Sequence, residues 1–195
     1  MLASYRENKF LCLSRQFSSH VEPLGPLDGR YQPKIKELAN YFSESAFNRY
    51  RIKVEIEWLK FLIKDKVIQL EKGQSIDNIL GKLDKIYVST LEPGSLFNEE
   101  VKKIEAVTNH DIKAVEYWIK EQIEKSQNMN NLVEFVHFTC TSEDINNISY
   151  ALMLKDSLDE VLIPEFDKVY SSMRKIALEV YFINIHMRFN YFLEC

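Results

Sequence analysis

Between positions 51 and 63 the apolar residues Ile52, Ile56, Leu59 and Ile63 fall at steps of four, three and four, which lines them along one stripe of an α-helix. Arg51, Lys53, Glu55, Glu57 and Lys60 fall mostly on the other sides, so the segment predicts a core-facing scaffold helix with a solvated charged face. The same spacing returns along the chain. Ile35, Leu38, Ala39 and Phe42 mark an amphipathic helix that Ser43-Glu44-Ser45 interrupts or restarts. Ser75 can cap a helix carrying Ile76, Ile79, Leu80, Leu83 and Ile86, and Ile112, Val115, Ile119 and Ile123 mark another. Phe166, Val169, Tyr170 and Met173 follow Pro164, which is tolerated in a first helical turn. Five Gly and five Pro in 195 residues leave few tight turns, and Gly73 and Pro93-Gly94 fall between the periodic segments. The expected fold class is all-α.

Composition narrows the class of partner. A net charge of -4 with no basic stripe interleaved with aromatics gives no general attraction to nucleic acid. Charges interrupt every hydrophobic run, so no membrane span is expected. Cys12, Cys140 and Cys195 are odd in number and lack metal-ligand spacing, which suits a reducing, cytoplasmic compartment and no metal. Residues 1–22 read as a disordered extension. Arg6, Lys9 and Arg15 among four serines, with Glu7 the single acid in 1–20, offer an organelle transit peptide as the alternative.

Three polar clusters stand apart from this helical background. Turn formers in Pro23-Leu24-Gly25-Pro26-Leu27-Asp28-Gly29 present Arg30 and Tyr31 side by side, an arrangement that suits a phosphate or is a plain turn before a helix. Thr108-Asn109-His110-Asp111 sets an amide, an imidazole and a carboxylate at one helix boundary, where they can contact a ligand or simply cap. In the third, Thr141 and Ser142 are N-cap residues with Glu143 and Asp144 in the first turn behind them. Ile145, Ile148, Ala151 and Leu152 continue it as a helix with one core face. Free N–H groups and two hydroxyls at such a start can hold a carboxylate or phosphate, or the hydroxyls can serve as caps alone. Polar 126–131 reads as a loop, and His137, among Phe135, Val136 and Phe138, reads as a packed, hydrogen-bonded core histidine without a catalytic role.

Leu27-Asp28-Gly29-Arg30-Tyr31, Thr108-Asn109-His110-Asp111-Ile112-Lys113-Ala114-Val115-Glu116-Tyr117 and Phe138-Thr139-Cys140-Thr141-Ser142-Glu143-Asp144-Ile145-Asn146-Asn147 together resemble the N-terminal half of the adenylosuccinate lyase family. Their order and separation match as well, from about Pro26 to about Leu178. Thr-Ser-Glu-Asp-Ile-Asn-Asn followed by Ala-Leu-Met-Leu favours this family over argininosuccinate lyase and fumarase. The resemblance implies the all-helical fumarase/aspartase fold, a homotetramer built on long helices, and active sites shared between subunits. It implies an N-terminal helical domain over 23–110 and the start of the central bundle over 111–179.

Carried over by position, the resemblance implies that Arg30 and Tyr31 meet a purine nucleotide's phosphate, that Asn109, His110 and Asp111 surround the substrate, and that Thr141 and Ser142 meet a succinyl carboxylate. The implied reaction is β-elimination of fumarate from adenylosuccinate and from the succinyl-carboxamide ribotide, without metal or organic cofactor. The family's Ser-Arg-Thr-His-Gly-Gln-Pro segment, with its acid histidine, and its serine base are not among these 195 residues. Residues 180–195 match no family motif and read as a divergent tail of a truncated product, with His186 a coincidence of position. The chain alone is expected to be inactive. The apolar faces of the helices after Ile145 and Pro164 are expected to lack their bundle partners.

Overall fold

The computed structural model describes residues 25–71 and 73–193, with side chains as far as Tyr181. Residues 1–22, read as an extension, and the side chain of His186 lie outside what is described. The chain divides into two units, Met1–Lys36 and Glu37–Cys195. In the first, the Tyr31 N–H donates to the Pro26 carbonyl at 2.9 Å and closes a turn that leads into α1 (Gln32–Ile35), with Pro33 in its opening turn.

The second unit opens with α2 (Ala39–Phe42). Ser43 is extended, which stops that helix, and its Oγ accepts from the Ala46 N–H at 3.1 Å, which starts the next, α3 (Glu44–Lys64). The serine thus both interrupts and restarts, as its position suggested. Ile52, Ile56, Leu59 and Ile63 on α3 are no more than 2% exposed and form the spine of the core. Packed around them are α4 (Ile76–Ser89), α5 (Phe97–Thr108), α6 (Asp111–Lys125) and a 3-10 segment (Asn130–Phe135), while α7 (Ser142–Ser157) packs against another side of α3. No strand occurs among the described residues, and the fold is all-α.

Two expectations need correction. Arg51 and Glu55 do not lie on a solvated face: both are buried, at 4% and 1% exposure. Neighbouring helices cover the side of α3 that carries them and supply polar partners. The stretch 126–131 closes α6 as a loop, as expected, and within it fully buried Met129 plugs the core beside Leu132. On α7 the buried stripe is Ile145, Ser149, Met153 and Ser157, whereas Ile148 and Ala151 are exposed. Small side chains at 149 and 157 permit this, because they let α7 approach α3 closely along that line.

The boundary at Pro164 also differs from a simple helix start. A five-residue π-turn (Leu158–Leu162) joins α7 directly to α8 (Ile163–Leu193). The Ile163 N–H reaches the Leu158 carbonyl, one residue farther back than in an α-helix, which widens the turn and makes room for a ring that has no N–H to donate. Tyr41 donates to Glu160 at 2.7 Å and Tyr50 to Asp156 at 2.9 Å, so phenols from α2 and α3 hold this region. Beyond it α8 runs for 31 residues, about 46 Å, and Phe166, Val169, Tyr170 and Met173 are all exposed as expected.

Candidate functional site

Two of the three polar clusters meet on α3. Helix α5 ends where Asn109 turns left-handed (φ 52°, ψ 33°), a conformation asparagine tolerates better than most residues. His110 is then extended and caps α6, its Nδ1 accepting the Lys113 N–H at 3.3 Å. With Nδ1 engaged as acceptor, the neutral ring carries its proton on Nε2. Asp111 is the first residue of α6. Its partner is Arg51 of α3, whose Nη2 donates to Oδ2 at 2.6 Å.

The other cluster begins one loop earlier. His137 and Thr139 both have positive φ, 64° and 62°, an uncommon conformation for residues with a Cβ. The Trp58 indole N–H donates to the intervening Phe138 carbonyl at 2.9 Å, and the His137 Nδ1 pairs with Glu55 Oε1 at 2.5 Å. Thr141 then closes a capping box. Its hydroxyl donates to Asp144 Oδ2 at 2.8 Å and accepts from the Asp144 N–H, and its own N–H donates to the same carboxylate at 2.8 Å. Ser142 makes no hydrogen bond through its hydroxyl among the described residues. Beneath both starts, Val54, Ile112 and Ile145 form a separate small core that joins α3, α6 and α7.

Electrostatics follow from these contacts. Burial would raise the Asp111 carboxyl, but the Ile112 N–H and the Arg51 guanidinium outweigh it and hold the group below its usual range. His137 is raised by its bond to Glu55, against the opposing effect of burial. Thr141, through N–H and hydroxyl, lowers Asp144. Burial, reinforced by the Glu55 and Asp144 carboxylates, pushes the Cys140 thiol up to about 11, so it is not a nucleophile at neutral pH. Nearly buried Glu116 is flanked by Lys113 and Lys120 at 2.8 and 2.9 Å, which offset the burial that would otherwise raise it.

The structure therefore brings Asn109, His110 and Asp111 to the same helix that carries the Thr141 and Ser142 loop. Of the predicted residues, Thr141 has its hydroxyl committed to capping, whereas the His110 ring is half-exposed and the Ser142 hydroxyl has no hydrogen-bond partner among the described residues. Arg30 and Tyr31 belong to the first unit, where the Arg30 guanidinium lies 5.4 Å from the Tyr31 ring centroid. Lys34 approaches that ring at 5.8 Å, a second cation that the sequence reading passed over. It also passed over Arg51 and Glu55, whereas His137 is the packed, hydrogen-bonded histidine expected, with Glu55 as its partner. A signal for the first two was present, since 51, 55, 58 and 62 share a helical stripe on which Trp58 and Leu62 are apolar.

The described residues include no group of three or more His, Cys, Asp or Glu able to hold a metal, and no helix long and apolar enough to cross a membrane. The arrangement they do form, with hydroxyl, imidazole and amide groups at two facing helix starts, can orient an anionic ligand and polarise its oxygens.

A family model described as Lyase matches residues 29–185, seven residues beyond the stretch in which the motifs are recognisable by eye. Adenylosuccinate lyase of Buchnera aphidicola subsp. Schizaphis graminum is 42% identical over 161 residues, covering 80% of this chain and 33% of that protein. The adenylosuccinate lyases of Escherichia coli K12 and Haemophilus influenzae are 39% and 40% identical, each alignment covering 83% of this chain and 34% of the relative. The chain spans about a third of the length of these curated relatives. With its second and third polar blocks and the Arg30-Tyr31 pair inside the matched stretch, the chain belongs to the lyase family and is similar to the adenylosuccinate lyases within it.

Proposed function

We propose that this chain supplies the substrate-binding loops of an adenylosuccinate lyase, which eliminates fumarate from adenylosuccinate to leave AMP and from the succinyl-carboxamide ribotide in purine synthesis. The observation that carries this reading is the meeting of the His110 and Ser142 loops on α3 over the Val54, Ile112 and Ile145 cluster. Arg30 and Tyr31, with Lys34 beside them, are suited to the nucleotide phosphate. Asn109, His110 and Asp111 border the substrate, with the His110 Nε2–H as donor. Ser142, and the backbone N–H groups that open α7, receive the succinyl carboxylate, with Thr141 shaping the loop that presents them.

In this elimination a proton leaves the carbon beside a carboxylate, so negative charge builds on that carboxylate before the C–N bond breaks. Donors already aimed at the carboxylate stabilise that charge without reorganising. Proton removal and protonation of the leaving nitrogen fall to groups outside these 195 residues. The chain by itself therefore binds ligand and does not turn it over. Residues 23–110 act as the N-terminal domain and 111–179 as the opening of a bundle, which a homotetramer completes around α8 in a reducing, cytoplasmic setting.

The test is fumarate release from adenylosuccinate by the purified 195-residue chain, followed by absorbance, together with AMP and fumarate binding by calorimetry. Binding without turnover is expected. Turnover that survives repurification would place an acid and a base within these residues. Absence of binding would favour the second reading, a non-catalytic helical fragment that assembles with longer lyase subunits. The uncovered apolar side of α8 is the specific observation in favour of that second reading.

A further inference from the structure

Arg51 belongs to neither loop, yet it holds both. Its Nη2 donates to Asp111 Oδ2 at 2.6 Å and to Asn146 Oδ1 at 3.0 Å, its Nε donates to the same Asn146 oxygen at 3.1 Å, and its Nη1 donates to Asn48 Oδ1 at 3.2 Å. The Phe47 ring stacks beneath the guanidinium, with its centroid 3.7 Å from Cζ. Asn48 is fixed in turn by Asn98, its Nδ2 donating to Asn98 Oδ1 at 2.9 Å. All three guanidinium nitrogens are engaged, in a plane set by an aromatic face. Asp111 is the carboxylate partner of this buried cation, and it adjoins His110. Asn146 lies four residues, about one turn, after Ser142.

We propose that Arg51 is a positioning residue that couples the two loops, fixing the start of α6 against the start of α7 and with it the spacing between His110 and Ser142. The planar fork is what the role requires. A lysine at 51 would bring a point charge that can sit on Asp111 or Asn146 without orienting both. The substrate-binding meaning of that spacing rests on the function proposed above, but the coupling itself belongs to the folded chain and is measurable without ligand.

The experiment is a mutant cycle on the 195-residue chain, read by amide hydrogen exchange. Asp111→Asn is expected to speed exchange not only at the start of α6 but also about tenfold across 145–149 of α7, relative to Ile56 and Leu59 in the core. In the Arg51→Met background the same change is expected to leave 145–149 unaltered. If Arg51→Met does not fold, Arg51→Lys and Asn146→Ala provide the same cycle. Normalising to the core amides removes any general loss of stability. An effect of Asp111→Asn confined to α6, or an undiminished effect on α7 without Arg51, overturns the coupling.

Titration with AMP and fumarate separates the two ideas. Arg51→Lys is expected to weaken binding about tenfold while leaving core exchange unchanged. A variant that loses the coupling and still binds as wild type overturns the positioning role. A wild-type chain that binds neither ligand overturns the functional reading, and the exchange cycle alone then decides the coupling.

Discussion

Helices α3 and α8 are built from similar residues and end in opposite situations. Over 21 residues α3 buries eleven, among them Asn48, Arg51 and Glu55. On α8 every residue from 165 to 181 is exposed, including Phe166, Tyr170, Met173 and Ile176. Charged residues are inside one helix's contacts and aromatics are outside the other's. Residue type sets what burial would contribute, but the presence of a neighbour decides whether burial happens. For α3 the neighbours are α4 to α7 of the same chain. For α8 the described residues supply none along 165–181, and an apolar face this long stays in water until something covers it.

The largest expected effect tests that difference directly. The chain should self-associate, and Phe166→Lys, Tyr170→Gln and Met173→Lys together should weaken association by at least roughly a hundredfold, given about 1.5 to 3 kcal/mol for each large side chain that loses its partner. Sedimentation velocity across a concentration series reads the outcome, and a wild-type chain that stays monomeric breaks the comparison. Within the resulting monomer, Leu59→Ala should lower unfolding stability in urea by about 3 kcal/mol, whereas Ile176→Ala should change it by less than about 0.5 kcal/mol.

A subtler contrast lies within α3 itself, between its apolar spine and its buried charges. His137 is raised in the folded chain by Glu55, so that pair contributes stability in full below the ordinary histidine value of 6.5, and the contribution is lost as pH rises through the folded value. Asp111 is lowered, so its contribution is present above the ordinary 3.8 and is lost as pH falls through the folded value. Both are complete only between those limits. Thermal melts should therefore show Glu55→Gln least stable relative to wild type near pH 6, with the gap narrowing toward pH 9. A gap that is flat with pH would mean the ion pair contributes nothing to folding. A modest loss, about 1 kcal/mol, is expected for Thr141→Val, which removes the capping hydroxyl of α7 while leaving the Val54, Ile112 and Ile145 cluster intact.

Much of the helical framework was legible because apolar spacing is a local property. The stripe on α3, the serine at 43, the breaks at Gly73 and Pro93-Gly94 and the cap at Thr141 all depend on residues within a turn or two of one another. What escaped notice is nonlocal. Arg51 and Glu55 looked like solvated charges because their partners Asp111, Asn146 and His137 lie 60 to 95 positions away. Ile148 looked like core because periodicity cannot say which neighbour a face will find. His137 reads correctly as a hydrogen-bonded packed histidine, but its partner Glu55 arrives from another helix and is not legible locally. The three polar blocks were recognisable as blocks, and the bringing together of the second and third required the fold.

The π-turn at Leu158–Leu162 carries one residue more than the α-helical turn it replaces, and each α-helical residue advances the side-chain direction by about 100°. Everything on α8 is consequently rotated by that angle relative to a straight continuation of α7. The π-turn thus works as an indexing device: it selects which stripe of the emerging rod faces outward. Removing one residue between 158 and 162 would turn the whole of α8 like a key in a lock, and would offer a different set of teeth to whatever it meets.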